Sequence, residues 1–231
     1  MNIFEQNYRS QDVRFLLYFL QQAYEIYGQI PESKMEIIKN KVTDDSMRVY
    51  RSSLDGDEND YELEVTLHTH SQRSKFPHFH LGATETFKVV LGQLSMMVGD
   101  KEIVLTPNSE EVIVGRNEVH CFWNNTDEYV TFRSVISPGT VIEKGIRATY
   151  ALANAGRMNK LNMPRNLFEL AILGETLDSY SPKLPWRLQK ALIHLLAATG
   201  TLLGYRKRFE RLVEQNSTNR KLKFDLKQLE K

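Results

Sequence analysis

The sequence predicts a mainly β domain with α-helical extensions at its N- and C-terminal ends. Three observations carry this. From Tyr61 to His70, odd positions are mostly apolar and even positions polar, the period of a strand with one buried face. Short runs of similar character recur from about Met47 to residue 137, divided by turn-forming residues. After Pro138-Gly139 the apolar period lengthens to that of a helix. Many short strands at such spacing argue for a sandwich or barrel.

Taken in order, residues 11–28 predict a helix, with Val13, Leu16, Leu17, Leu20, Ala23, Tyr24 and Tyr27 on one face. Ser10 or Asp12 can cap its start, and Gly28 with Pro31 stops it. A second short helix is expected around Ser33 to Lys41. Strands follow near 84–91, 94–98, 102–106, 111–114, 119–124 and 129–137. Gly92, Gly99-Asp100, Pro107-Asn108-Ser109 and Asn124-Asn125-Thr126-Asp127 separate them. Helices are expected over 140–156, 164–176 and 186–213. The reading divides the chain into an N-terminal extension (1–44), a β-barrel (45–138), a C-terminal helical extension (139–215) and a polar tail (216–231).

Composition narrows the class. The chain has 231 residues, with 41% hydrophobic and 26% charged, as in ordinary globular domains. The single cysteine, Cys121, excludes an intramolecular disulfide and fits a reducing compartment. The N-terminus lacks the pattern of a secretory signal, and no apolar run reaches the ~20 residues of a spanning helix. A cytoplasmic location is therefore expected, with peripheral membrane contact as the lesser alternative. The net charge of +1 hides an asymmetry: −8 over residues 1–139 and +9 over 140–231. Such a split fits intramolecular or subunit complementarity, or an anionic surface. No reader motif or basic-aromatic stripe supports nucleic acid.

Chemistry concentrates in one stretch. His78, His80, Glu85 and His120 place three imidazoles and a carboxylate within 43 residues of the β region. In a strand, residues two apart share a face, so His78 and His80 project together. Glu85 shares its face with Phe87, Val89 and Leu91, which points it inward, where a carboxylate needs a compensating cation. His120 has the parity of Phe122 and Asn124. Three imidazoles with a carboxylate suit one divalent transition metal: Fe, Mn, Ni, Cu or Zn.

These residues also carry a resemblance. His78-x-His80, four residues, Glu85, six residues and Gly92 resemble the first motif of the cupin superfamily, and His120-x-x-x-Asn124 resembles the end of its second. The resemblance spans about residues 45–138. It implies a double-stranded β-helix (jelly-roll) barrel with one divalent metal held by His78, His80, Glu85 and His120. Gln72 stands where the first motif has glycine. Gly115 and Asn117 take the usual proline and glycine positions of the second, which places turn geometry in question rather than the ligands. Met163-Pro164-Arg165-Asn166-Leu167 and Leu203-Gly204-Tyr205-Arg206 resemble the helical extension of a group of small bacterial cupin-domain proteins. The superfamily's fold hosts many reactions, so the motif does not name a catalytic residue or a substrate.

Phe87, Met96, Phe122 and Tyr129 either line the pocket or form plain core. Asn124 either orients the site or holds a turn. Arg133 is a candidate for an anionic substrate and also reads as a surface residue. His68 and His70 form a second His-x-His on the polar face, expected at solvent or at a subunit edge. The helix from Trp186 is apolar around nearly its whole circumference, which predicts burial against neighbouring helices or a subunit partner, or contact with a membrane surface. The expected function is a divalent-metal cupin that acts on or binds a small organic molecule, as a dioxygenase or isomerase. The alternative is a non-enzymatic sensor or binding module. A homodimer is expected in either case.

Overall fold

A computed structural model describes residues 36–54, 59–72 and 74–214. The helix expected over 11–28 and the polar tail 216–231 lie outside the described residues. Two sheets make up the β region. The first runs in the order β1 (Glu36–Lys39), β2 (Ser46–Arg51), β3 (Tyr61–Leu67), β10 (Val130–Ser137), β5 (Thr84–Leu91), β8 (Val112–Val114). The second runs β11 (Ser179–Tyr180), β4 (Ser74–His80), β9 (His120–Trp123), β6 (Leu94–Val98), β7 (Lys101–Leu105). All pairings within the sheets are antiparallel.

Alternation decides what faces inward. On β3, Tyr61, Leu63, Val65 and Leu67 are buried; on β10, Val130, Phe132, Ser134 and Ile136 are. These strands pair directly, Val65 with Phe132 and Leu67 with Val130, so one register supplies a continuous apolar face. Phe87 and Val89 from the neighbouring β5, with Leu94 and Met96 from β6 of the facing sheet, complete the core. Gly92 turns β5 into β6 at φ +78°, and a Cβ there would lie 2.5 Å from the Tyr129 carbonyl oxygen. Leu91, expected inward with Glu85, is exposed at this turn.

Helices follow: α1 (Glu143–Asn154), α2 (Leu167–Leu177), α3 (Trp186–Leu202) and α4 (205–214). The α1 start is tied to the end of β2 through Glu143. Its buried carboxylate accepts from Ser52 Oγ, from the Ser53 amide and hydroxyl, and from Arg147 Nε at 2.7–2.8 Å. Asn166 caps α2 by accepting from the Phe168 and Glu169 amides. A second apolar cluster, including Leu152, Met158, Ile172, Ala197 and Phe209, joins the helices to one another.

Two expectations change. Glu36–Lys39, inside the short helix expected around Ser33–Lys41, is a strand paired with β2, with Ile38 buried. The adjacent isoleucines favour the pleated surface, and Asn40 Oδ1 stops the strand by accepting from the Val42 and Thr43 amides. The sheet therefore begins before residue 45. The helix expected over 186–213 breaks at Leu203-Gly204, where Gly204 takes φ +81°.

Candidate metal centre

The second sheet supplies three histidines and the first sheet the carboxylate. His78 and His120 stand directly opposite each other across β4 and β9, with ring centroids 4.4 Å apart. His80 shares the β4 face, 5.1 Å from His78 and 5.4 Å from His120. One ligand nitrogen of each ring lies within 4.8 Å of the others. Glu85 enters from β5 between Val114 and Ile136 and places Oε1 3.6 Å from His80 Nε2 and Oε2 3.3 Å from His120 Nε2.

The second nitrogen of each ring fixes its chemistry. Nδ1 of His78 lies 2.9 Å from the Phe76 carbonyl oxygen, Nδ1 of His80 3.1 Å from that of Asp178, and Nδ1 of His120 3.1 Å from that of Glu118. A carbonyl only accepts, so each Nδ1 carries a proton, and in a neutral ring the lone pair is then on Nε2, facing the shared space. Nε2 of His80 and of His120 are buried without a hydrogen-bond partner. Their approach to Glu85 is at ion-pair distance but lacks hydrogen-bond alignment. Buried lone pairs facing a carboxylate repel one another unless a cation or a proton lies between them. This donor set, with backbone acceptors holding the outer nitrogens, fits a divalent metal.

Without a metal, protons take that role. Burial alone would raise the Glu85 pKa; His120, with His80 and His78, outweighs it and lowers it to about 2. Burial likewise works to lower His120, and the Glu85 carboxylate outweighs it, so the His120 pKa is raised. Burial, then the charges of His120 and His80, lower His78 to about 4. Without a metal, these directions favour charge on His120 and Glu85 together and disfavour it on His78.

Two local structures aim the histidines. Before β9, Asn117 adopts φ +63° and donates its amide to the His80 carbonyl at 2.8 Å. The left-handed turn lacking the motif's glycine is thus met by asparagine, the side chain that best tolerates it. Glu118 Oε2 accepts from the Gly115 amide, fixing the carbonyl that holds His120. The other structure is missing from the sequence reading. Asp178, at φ +46° after α2, gives its carbonyl to His80 Nδ1, and its Oδ2 accepts from the Leu81 and Gly82 amides at 2.9 and 2.6 Å. The next two residues form β11, pairing Ser179 with His80. The helical extension therefore clasps the strand that carries two of the histidines. Nothing local marks Asp178, because its partners lie almost a hundred residues away.

The other candidates separate. Phe87 and Phe122 lie beneath the histidines, with ring centroids 5.6 Å apart and Phe87 6.2 Å from His120. Met96 is wholly buried opposite Phe122, in the core. Asn124 faces no pocket: Nδ2 donates to the His68 and Glu128 carbonyls, and Oδ1 accepts from the Thr126 amide and hydroxyl. All its capacity goes into the turn after β9. Tyr129 is exposed and packs edge-on against His68. Arg133 lies on the outer face of the first sheet, 4.7 Å over the Tyr50 ring, because its neighbours Phe132 and Ser134 take the inward positions. Neither Tyr129 nor Arg133 lines the centre. His68 and His70 point to separate partners, Asp44 and Asp127. Cys121 is buried on the face opposite His120.

The two-sheet strand order, with β4, β5 and β9 converging on one interior, is the arrangement that the motif resemblance implies. That strand order is a jelly roll. No protein-family model matches the chain. No curated protein matches it. Solved structures similar to this barrel include the polyketide cyclase RemF from Streptomyces resistomycificus (18% identity, 46% of this chain and 76% of that one, TM-score 0.39). A sugar phosphate isomerase from a cupin superfamily, from Silicibacter pomeroyi, has 19% identity over 46% of this chain and 73% of its own, with TM-score 0.39. An uncharacterized conserved protein with a double-stranded beta-helix domain from Klebsiella pneumoniae has 21% identity over 39% and 74%, with TM-score 0.34. Likeness at this level assigns no chemistry to this chain.

Proposed function

We propose that His78, His80, Glu85 and His120 hold one divalent transition metal (Fe, Mn, Ni, Cu or Zn), and that the protein acts on a small organic molecule there. The observation that carries this is the set of three Nδ1–carbonyl contacts, which leave three Nε2 lone pairs to face one space, two of them beside the buried Glu85 carboxylate. A metal in such a site supplies Lewis acidity or redox chemistry with O₂, the resources of an isomerase or a dioxygenase. The chain's own residues orient the donors and, through Phe87 and Phe122, exclude water from beneath them. His78 is the half-buried member of the set, so a ligand approaches from its side. Metal analysis of untagged protein tests the reading, with His80→Ala as control. Stoichiometric metal that is lost in the variant supports it; equal content in both proteins refutes it. O₂ uptake by Fe(II)-loaded protein across catechols, thiols and diketones then separates a dioxygenase from an isomerase.

Asp178 favours a second reading, a non-enzymatic sensor or binding module. With β11 after it, Asp178 joins a ligand strand to the helical extension, a route by which occupancy of the centre would reach the helices. Ligand-dependent protection of the 167–202 amides from hydrogen exchange, without turnover, supports it. The reading also includes a cytoplasmic homodimer. Exposed Val104 and Ile113, on the edge strands β7 and β8, offer a surface for pairing, which light scattering tests.

A further inference from the structure

Helix α3 presents an unusual outer face. Positions 188, 192, 195, 199 and 202 recur at spacings of four and three and so form one stripe. Leu188, Leu192, Leu195 and Leu202 on it are 54–89% exposed, and exposed Leu184 and Leu203 extend it at its ends. Six leucines, each more than half exposed, make an apolar patch of the size that marks an interaction site. The opposite side of the helix is satisfied. Ala197 and Gly200 are buried, and a Cβ on Gly200 would meet Phe168 Cβ at 2.8 Å, so α3 packs closely on α2.

Charge decides between occupants. Residues 179–209 contain no aspartate or glutamate, but include Lys183, Arg187, Lys190, Arg206, Lys207 and Arg208. Arg187 and His194 flank the leucines on one side and Lys190 lies further round toward the buried side; all three are exposed, and His194, like Arg206, is ion-paired with Glu175 of α2. A second copy laid antiparallel along the leucines would bring Lys183 and Arg187 toward the partner's Lys207 and Arg208. A parallel copy would stack like charges directly. Neither arrangement offers an acidic group in this segment to offset them. An anionic surface has no such conflict: exposed leucines enter the acyl boundary, and lysine and arginine meet the head groups. Trp186, partly exposed at the helix start with Arg187 over its ring, is an amphipathic anchor of the kind found at such boundaries. No described helix is long and apolar enough to cross a membrane, so the contact is interfacial.

We propose that α3 docks the protein onto an anionic lipid surface, its leucine stripe inserted and its basic stripe at the head groups. This does not depend on the metal. Flotation of the full chain with phosphatidylcholine vesicles, with and without 30% phosphatidylglycerol, tests it. The expected result is at least ten-fold more protein on the anionic vesicles. Leu192→Glu/Leu195→Glu should abolish binding, and Arg187→Gln/Lys190→Gln should reduce it several-fold. All four positions are exposed, so both variants should keep the parent's thermal midpoint. Absence of flotation overturns the proposal, as does equal flotation on both compositions or binding indifferent to Leu192→Glu/Leu195→Glu. If nothing floats, a dimer lost in the leucine variant identifies a second copy as the occupant. A monomer whose thermal midpoint falls in that variant identifies a segment of the chain itself.

Discussion

The barrel and the C-terminal helices treat their side chains in opposite ways. The barrel draws three histidines and a glutamate into an otherwise apolar interior, and every outer nitrogen there has a designated acceptor. Helix α3 turns leucines outward and fully buries only Ala197 and Gly200, with Ile193 and Leu196 half-buried beside them. Buried polarity and exposed apolarity are both unfavourable for an isolated chain, and both are relieved by something that binds. The proposed metal centre and the proposed lipid contact therefore occupy separate parts of the polypeptide. Asp178, at the junction, is where they meet.

The sharpest way to break the comparison is to remove a donor. His80→Ala or His120→Ala should lower metal affinity by about a hundred-fold or more, read by competition with a chromophoric chelator, and should leave vesicle binding unchanged. Asp178→Ala comes next. It should weaken metal binding by about ten-fold to a hundred-fold, as second-layer changes do. Asp178→Asn, which keeps the left-handed backbone and one acceptor, should restore most of the affinity. Indifference of both variants would remove Asp178 from the site. Asn124→Ala should destabilise the protein by about 2–3 kcal/mol in denaturant titration, since two carbonyls and two donors lose their partner, with metal affinity little changed.

The pH response sharpens the comparison further. His78 is held near pKa 4 against an ordinary value of 6.5. Between these values the unfolded chain binds more protons, so the metal-free protein should lose stability as pH falls from 6.5 toward 4. His78→Gln should flatten that limb of a plot of thermal midpoint against pH. His120 has the opposite sign: its raised pKa contributes stability below 6.5 that is lost as pH rises through the raised value. The smallest effect is expected from Arg133→Ala, which should leave metal affinity unaltered because the side chain lies on the outer face.

Much of the barrel was legible because alternation is a local property. The turn residues and the parity of His78, His80, Glu85 and His120 could be read without knowing which strands pair. Asn124 and Arg133 were harder. Parity placed Asn124 inward, but the strand ends at Trp123, and the side chain is used by the turn. Arg133 had the right parity for the surface and was retained only for its charge. The strand at Glu36–Lys39 was missed because four residues carry too little pattern to reveal their partner strand.

By itself the sequence determined which residues can serve as donors and which faces are apolar, because side-chain chemistry and period are encoded position by position. Only the tertiary structure decided how they are used. Asp178 reaches His80 across 98 positions of chain, because α2 ends beside β4. The apolar helix remains open to solvent along its leucines because Gly200 commits the other side to α2. Both outcomes depend on which elements become neighbours, and that is set by packing of the whole fold rather than by any local pattern.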